Sequence, residues 1–271
     1  MEDFDRLLKI YNKDIVVLSP EQVKEMKINF IFHSNRLEGS NLSLSQTDDV
    51  ISNTKVKGDS SVVDILMALD HYKALNQAID FGLKKYPLSK KMLLSLHHTL
   101  LKNSFNVDEF YDSWKLSGQE LGKFKIKHNR ILIIKDNKQQ YYNTPSAEMS
   151  ENLIEKSIDI YNNSEEHIVV KLAKLLQNIF NAHAFFDGNK RMTRLLIANQ
   201  LYANGFDLMI AHENKNEYNA ALVDGFLNKT EQPIQSVLLK YFKQYLAKEI
   251  EMNEQVKKAT KSEGINFGLI I

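Results

Sequence analysis

Apolar positions recur at three- and four-residue steps through most of the chain, and this spacing predicts helices separated by short polar breaks. The first clear one opens at Ser19-Pro20-Glu21-Gln22, a serine cap with proline in the first turn. It runs through Val23, Met26, Ile28, Phe30, Ile31 and Phe32 to a stop near Gly39. Asn41 to Gln46 reads as a turn and a second cap. A long helix is expected from about Ser61 to Phe81, with Val62, Leu66, Leu69, Tyr72, Leu75 and Ile79 on one face and Gly82 as its stop. Ser89 caps the next, through Met92, Leu93, Leu96 and Leu100, and Pro145-Ser146 opens another containing Met149, Leu153 and Tyr161. Two apolar helices follow, one marked by Val169, Val170, Ala173, Leu176, Ile179 and Phe180, the other by Leu195, Leu196, Ala198, Leu201 and Tyr202 with an end near Gly205. Helices from Glu213 to Phe226 and from about Ile234 to Glu251 complete the series.

One stretch departs from this rhythm. Phe124 to Lys127 and Arg130 to Ile134 are β-like, and Lys135 to Lys138 is a turn before Tyr141-Tyr142. The expected fold is therefore all-α with a small β-hairpin placed before the two apolar helices. Lys123, Lys125, Lys127 and Arg130 read as edge-strand charges that oppose aggregation. His71 is expected to be structural, and His97 and His98, being adjacent, face different directions and do not make a metal pair.

Composition adds exclusions. With 43% hydrophobic and 25% charged residues the chain is ordinary globular protein, and 271 residues suit one large domain or a core with appended helices. A net charge of +1 argues against a dedicated nucleic-acid binder, and the lack of cysteine removes disulfides, thiolate metal sites and a thiolate nucleophile. The acidic start, Met1 to Arg6, is unlike a signal peptide and no apolar run reaches membrane length, so a cytoplasmic protein is expected. Lys257, Lys258 and Lys261 read as a solvated run, and Gly264 to Ile271 as an apolar end that docks or adds an edge strand.

The chemistry concentrates between the two apolar helices, in His183-Ala184-Phe185-Phe186-Asp187-Gly188-Asn189-Lys190-Arg191-Met192-Thr193-Arg194. Such a loop ends at a helix N-terminus, where unpaired N–H groups and the positive end of the helix dipole attract anions and Gly188 lets a phosphate approach the backbone. A histidine can accept a hydroxyl proton near neutral pH, and arginines suit phosphate oxygens by their paired donors. Taken singly, His183 is as readily a satisfied loop histidine and Asp187-Gly188 a plain turn; the joint register carries the reading.

The pattern H-x-F-x-D-G-N-x-R-x-x-R resembles the active-site signature of the Fic family, most of whose enzymes transfer AMP from ATP to a hydroxyl of a target protein. The resemblance implies His183 as general base, Asp187 as the holder of Mg²⁺ (or Mn²⁺), and the N–H groups of Gly188, Asn189 and Lys190 as an anion hole. It gives Arg191 and Arg194 the β- and γ-phosphates, Phe185 the anchoring of the loop, and Tyr218 part of the adenine pocket. Ser34-Asn35-Arg36-Leu37-Glu38-Gly39 is similar to the inhibitory pattern [S/T]-x-x-x-E-[G/N] of Fic proteins with an N-terminal inhibitor helix, so Glu38 is expected to pair with Arg194. The hairpin resembles the Fic flap, which implies a target protein, or the protein itself, held there by strand addition. The likeness suggests N-terminal helices including the inhibitory helix over 1–58, a Fic core over 59–230 and a C-terminal helix and tail over 231–271; no membrane or nucleic acid is expected from the charge and apolar runs above, and a homodimer is left open. Two departures bear on the reaction. Ala184 stands for the usual proline, and Lys190 for the usual glycine. Asn189-Lys190-Arg191 is the wording of the Doc-type relatives, which are kinases but have alanine in place of Gly188 and lack Arg194. Phosphoryl transfer, a non-catalytic nucleotide-binding protein and AMP removal stay as alternatives.

Overall fold

Serine hydroxyls start five of the helices: Ser19, Ser43, Ser61, Ser89 and Ser146 each accept the N–H three residues on. At Ser19 and Ser43 the third residue is glutamine, whose side chain bonds back to the cap, so two otherwise unpaired donors are satisfied at once. The computed structural model describes residues 1–11, 19–53, 56–135, 138–208 and 217–262. The elements are α1 (Glu2–Tyr11), α2 (Pro20–Arg36), α3 (Leu44–Ile51), α4 (Val62–Leu83), α5 (Lys90–Leu101), the short α6 (Ser104–Val107), a 3₁₀ turn over Glu109–Tyr111, and α7 (Asp112–Leu116). They continue with β1 (Arg130–Lys135), β2 (Lys138–Asn143), α8 (Ala147–Asn163), α9 (Ile168–Ala182), α10 (Asn189–Ala203), α11 (Glu217–Asn228) and α12 (Gln232–Ser262). The fold is mainly helical with one two-stranded antiparallel hairpin among the described residues, as expected. None of their helices is long and apolar enough to cross a membrane.

Helix α9 is buried along most of its circumference, through Val169, Leu172, Ala173, Leu175, Leu176, Ile179 and Phe180, because α8, α10, α11 and α12 all pack on it. Helix α10 lies between α9 and α4, and α4 carries α2, α3 and α5. The loop joining α9 to α10 therefore emerges in the middle of the helical stack, with α2 able to reach it over α4.

Several expectations are corrected. Gly82 does not stop α4, which continues to Leu83 and ends at Lys84 with Lys85 in the left-handed region at φ 52°. Gly82 instead marks the crossing with α10: a Cβ there would lie 2.3 Å from the Asn199 carbonyl oxygen. Phe124 to Lys127 is not a strand, and its apparent alternation is inverted, since Lys125 is buried and Ile126 half exposed. The hairpin proper pairs Arg130 with Asn143 through Lys135 with Lys138, and its central turn residues lie outside the described residues. Met149 and Leu153 face outward on α8, whose buried stripe is Ser150, Ile154, Ser157, Ile158 and Tyr161. Helix α12 runs on past Glu251 to Ser262, taking in Lys257, Lys258 and Lys261. Glu213, the expected start of α11, and the tail from Gly264 to Ile271 lie outside the described residues.

The N-terminal helix was not foreseen. Phe4 is wholly buried, edge-on to Phe242 of α12 at 5.5 Å and to His167 at 4.9 Å, and this anchors α1. The exposed pairs around it, such as Lys243–Asp3, contribute little.

The Gly82 crossing yields a first prediction. Gly82→Ala should destabilise the fold by about 2 kcal/mol, since α4 and α10 must separate to admit the methyl group and backbone cannot yield as a side-chain tip does. Urea unfolding followed by circular dichroism measures it. A variant as stable as the parent would mean the helices slide at no cost.

Candidate active site

Helix α9 ends on His183, whose backbone is left-handed at φ 43° and so strained for a residue with a side chain. The chain then turns inward. Phe185 stacks on the His97 ring at 4.0 Å, and Phe186 packs among His97, Phe105, Tyr111 and Trp114. Gly188, at φ 76°, begins α10. A Cβ on it would come within 3.3 Å of Leu100, and L-residues rarely adopt that φ.

Asn189 ties this loop together. Its Oδ1 accepts the Phe185 N–H at 3.0 Å, its Nδ2 donates to the Phe185 carbonyl at 2.8 Å, and Nδ2 also lies 3.3 Å from His183 Nδ1. Other partners come from outside the loop. Ser150 donates to the Ala182 carbonyl at 2.8 Å, the Lys125 N–H to that of Ala184 at 2.8 Å, and Asn129 Nδ2 to that of Phe185 at 2.9 Å. His97 Nε2 lies 3.1 Å from the Asp187 carbonyl oxygen, which can only accept, so Nε2 carries a proton; burial pushes the ring down to about 4, so at neutral pH it is uncharged.

The charges are equally constrained. Burial, then the Lys125 and Lys190 charges, push His183 down to about 4, with Asp187 opposing. At neutral pH its imidazole is therefore unprotonated and able to accept a proton. Burial alone would raise Asp187; the Arg191 charge, the Tyr111 hydroxyl and the Gly188 N–H outweigh it and keep the carboxyl below its usual range. Asp187 Oδ2 accepts from Tyr111 at 2.7 Å and from Arg191 Nη2 at 2.8 Å. Arg191 is only 3% exposed, yet its Nε and Nη1 have no protein partner. Arg194, also buried, donates through Nε to Ser34 Oγ at 2.6 Å and through Nη2 to Glu38 Oε1 at 2.5 Å, and its Nη1 has none. Unused buried guanidinium donors are costly, and at a helix start they suit an anionic oxygen ligand.

Glu38 stands in the turn just past α2. Burial would raise its carboxyl, but Arg194, Arg191 and Lys190 together hold it low. The same helix is fixed one turn earlier by Asn35 Oδ1, 2.7 Å from Nδ1 of the buried His71. Lys190 is half-buried and its charge reaches both His183 and Glu38. Tyr218 is 6% exposed on α11, and burial pushes its hydroxyl up to about 12 beside Thr193. The structure thus brings His183, Asp187, Gly188, Asn189, Lys190, Arg191, Arg194 and Glu38 together, with Tyr218 behind α10.

Sequence reasoning placed Ser34 as the first position of the inhibitory pattern but missed His97, Tyr111, Lys125 and Asn129. For His97 there was a signal, since it follows Leu93 by four residues on the apolar face of α5. For the others none was present, because their roles depend on distant segments.

Solved structures share this architecture. A Fic-domain-containing signaling protein from Bacteroides thetaiotaomicron is similar over 98% of this chain and 99% of its own, with 22% identity and a TM-score of 0.73. A Fic family protein from Desulfovibrio desulfuricans matches 93% of this chain and 75% of its own at 17% identity and TM-score 0.70. For a Fic-1 fragment from C. elegans the values are 96%, 73%, 18% and 0.71. The fold is that of the Fic-domain proteins. Residues 87–201 match the model of the Fic/DOC family, so this protein carries a Fic/DOC domain, as its motif had suggested. Proteins of this family are generally transferases that act on protein targets. No curated protein matches the chain significantly.

The two low histidines generate a prediction for acid stability. Both His97 and His183 are shifted from 6.5 to about 4, so the folded state stays neutral where the unfolded chain takes up protons. Their contribution is full above about pH 6.5 and is lost as pH falls towards 4, by a few kcal/mol at most. Denaturation midpoints measured from pH 7.5 to 4.5 should fall for the parent and fall less steeply for His97→Gln. Identical slopes would show that His97 takes up its proton at an ordinary pH when folded.

Proposed function

We propose that the protein is a protein adenylyltransferase that moves AMP from ATP to a Ser, Thr or Tyr hydroxyl of a target protein, and that Glu38 holds it off. The observation that carries the reading is the pairing of a neutral His183 with a helix start whose two buried arginines have unused donors, one arginine being capped by Glu38.

His183 takes the proton of the attacking hydroxyl as its oxygen bonds to the α-phosphorus; the bond from that phosphorus to the bridging oxygen breaks and pyrophosphate leaves. The N–H groups of Gly188, Asn189 and Lys190 receive phosphate oxygens, and Arg191 and Arg194 take the β- and γ-phosphates. Tyr218 backs the adenine pocket from α11. Asp187 would hold Mg²⁺, or Mn²⁺ in its place, which neutralises phosphate charge when bound. One ionised carboxylate with phosphate oxygens and water is an ordinary Mg²⁺ donor set, and among the described residues no cluster of three or more ligating side chains competes with it. While Glu38 occupies Arg194, the γ-phosphate of ATP lacks its guanidinium and the α-phosphorus is out of line with the hydroxyl. The target lies along the hairpin edge, and the protein can be its own target.

A second reading, phosphoryl transfer as in Doc-type kinases, draws on the Lys190 charge that reaches into the site. Gly188 and Arg194 oppose it, one by leaving room at the helix start, the other by fixing the far phosphate.

The test uses Glu38→Gly with α- and γ-labelled ATP and Mg²⁺. Label should be retained from the α-position only, at least about tenfold above the parent protein. Retention from the γ-position would make the protein a kinase, and equal labelling with and without Glu38 would sink the inhibition. His183→Ala should lower transfer by roughly 10²–10⁴-fold while ATP affinity by calorimetry changes little, because the phosphates are held by other groups.

A further inference from the structure

The hairpin and the catalytic loop meet through a buried lysine. Lys125 is 2% exposed, and its Nζ donates to Asn129 Oδ1 and to Thr144 Oγ1, each at 2.8 Å. Asn129 immediately precedes β1 and Thr144 immediately follows β2, so the ammonium bridges the open ends of the hairpin. The Thr144 hydroxyl closes the triangle on Asn129, with Oδ1 at 2.6 Å and the carbonyl oxygen at 2.9 Å. The same residues grip the loop: the Lys125 N–H donates to the Ala184 carbonyl and Asn129 Nδ2 to that of Phe185, the two residues directly after His183.

An uncharged residue would close a hairpin at less cost, since burying an ammonium is unfavourable even when it is hydrogen-bonded. What the lysine adds is a three-way junction, in which the strand ends and the loop cannot move independently. We propose that Lys125 is a positioning residue that registers the hairpin against His183, so that an extended acceptor segment paired with the hairpin edge presents its hydroxyl at a fixed place beside the base. The identity of the acceptor rests on the AMP-transfer reading; the junction itself does not.

A registering role predicts a split between acceptors. A protein hydroxyl needs the hairpin in register, whereas water attacking the α-phosphorus, with pyrophosphate leaving, does not. On the Glu38→Gly background, Lys125→Met should lower AMP transfer to protein about tenfold to hundredfold, since small misplacements of reacting groups cost that much. AMP release to water and ATP affinity should change less than about twofold by the same reasoning. Lys125→Gln, which keeps a donor for Asn129 or Thr144, should recover much of the loss. Equal losses for both acceptors would make Lys125 merely structural and overturn the proposal.

Hydrogen exchange read by mass spectrometry on the full chain needs no reaction. Lys125→Met should raise exchange in the hairpin and in the loop from Ala182 to Gly188 together, with α4 and α10 unchanged. Faster exchange in the hairpin alone, or in neither, overturns the proposal. If Lys125→Met does not fold, Thr144→Val removes one acceptor at nearly constant shape and carries the same comparisons. If no AMP is transferred by any variant, the AMP reading fails while the joint exchange response still decides the junction.

Discussion

The backbone between α9 and α10 leaves two core helices in the middle of the stack, where water cannot satisfy its polar groups, so every carbonyl it buries has to find a donor in the protein. That constraint organises the site. The carbonyls of Ala182, Ala184, Phe185 and Asp187 are taken by Ser150 of α8, by Lys125 and Asn129 of the segment before β1, and by His97 of α5, three separate parts of the chain. Because Asn189 closes the same loop from within, His183 is held in a left-handed conformation that a free loop would relax. The strain is tolerated because so many contacts determine the backbone around it, and the result is an imidazole whose position does not depend on a bound ligand.

A second constraint is electrostatic. Lys190, Arg191 and Arg194 share one helix start that already carries a partial positive charge, with the Lys125 charge reaching His183 beside it, and the carboxylates that answer them are Asp187 and Glu38. Asp187 is committed to Arg191 and Tyr111. Without Glu38, Arg194 would face a cationic, largely dehydrated space with hydrogen bonds to Ser34 alone. The carboxylate therefore balances charge in the same place where a nucleotide phosphate would, which is why one residue can stabilise the resting protein and compete with a ligand. The Glu38–Arg194 pair is too buried to be counted among the weak surface ion pairs.

Much of this was legible in the sequence, because local rules and the site motif agree. The serine caps, the α9 and α10 stripes and the spacing from His183 to Arg194 each depend on residues within a few positions of one another, and they appear where expected. What failed depended on segments far apart in the chain. Gly82 reads as a stop because glycine ends helices locally, while its reason lies at Asn199. Lys125 reads as an edge charge because alternation assigns it outward, while two acceptors and a loop carbonyl draw it in. On α8 the apolar Met149 and Leu153 face outward, while the buried face one position on includes two serines that bond to carbonyls, a placement set by distant segments. Helix α1 escaped notice because its first turn is acidic, although Phe4, Leu7, Leu8 and Tyr11 have helical spacing.

Where α2 is held decides how the proposed inhibition is released. Its body is fixed by buried Ile28, Phe30 and Ile31 and by the Asn35–His71 bond, so lifting the whole helix would expose core. Glu38 lies beyond that body, in a turn made by Glu38 N–H to Asn35, Gly39 N–H to Arg36 and Ser40 N–H to Asn35, with Gly39 exposed at φ 94°. Three main-chain bonds in a terminal turn open far more readily than a packed helix, since they shield little apolar surface. The carboxylate can thus leave Arg194 by rearranging Leu37 to Ser40 while Asn35 and Ser34 keep their places. Ser34 then remains on the Arg194 guanidinium after Glu38 departs, so that the arginine meets an incoming phosphate already oriented.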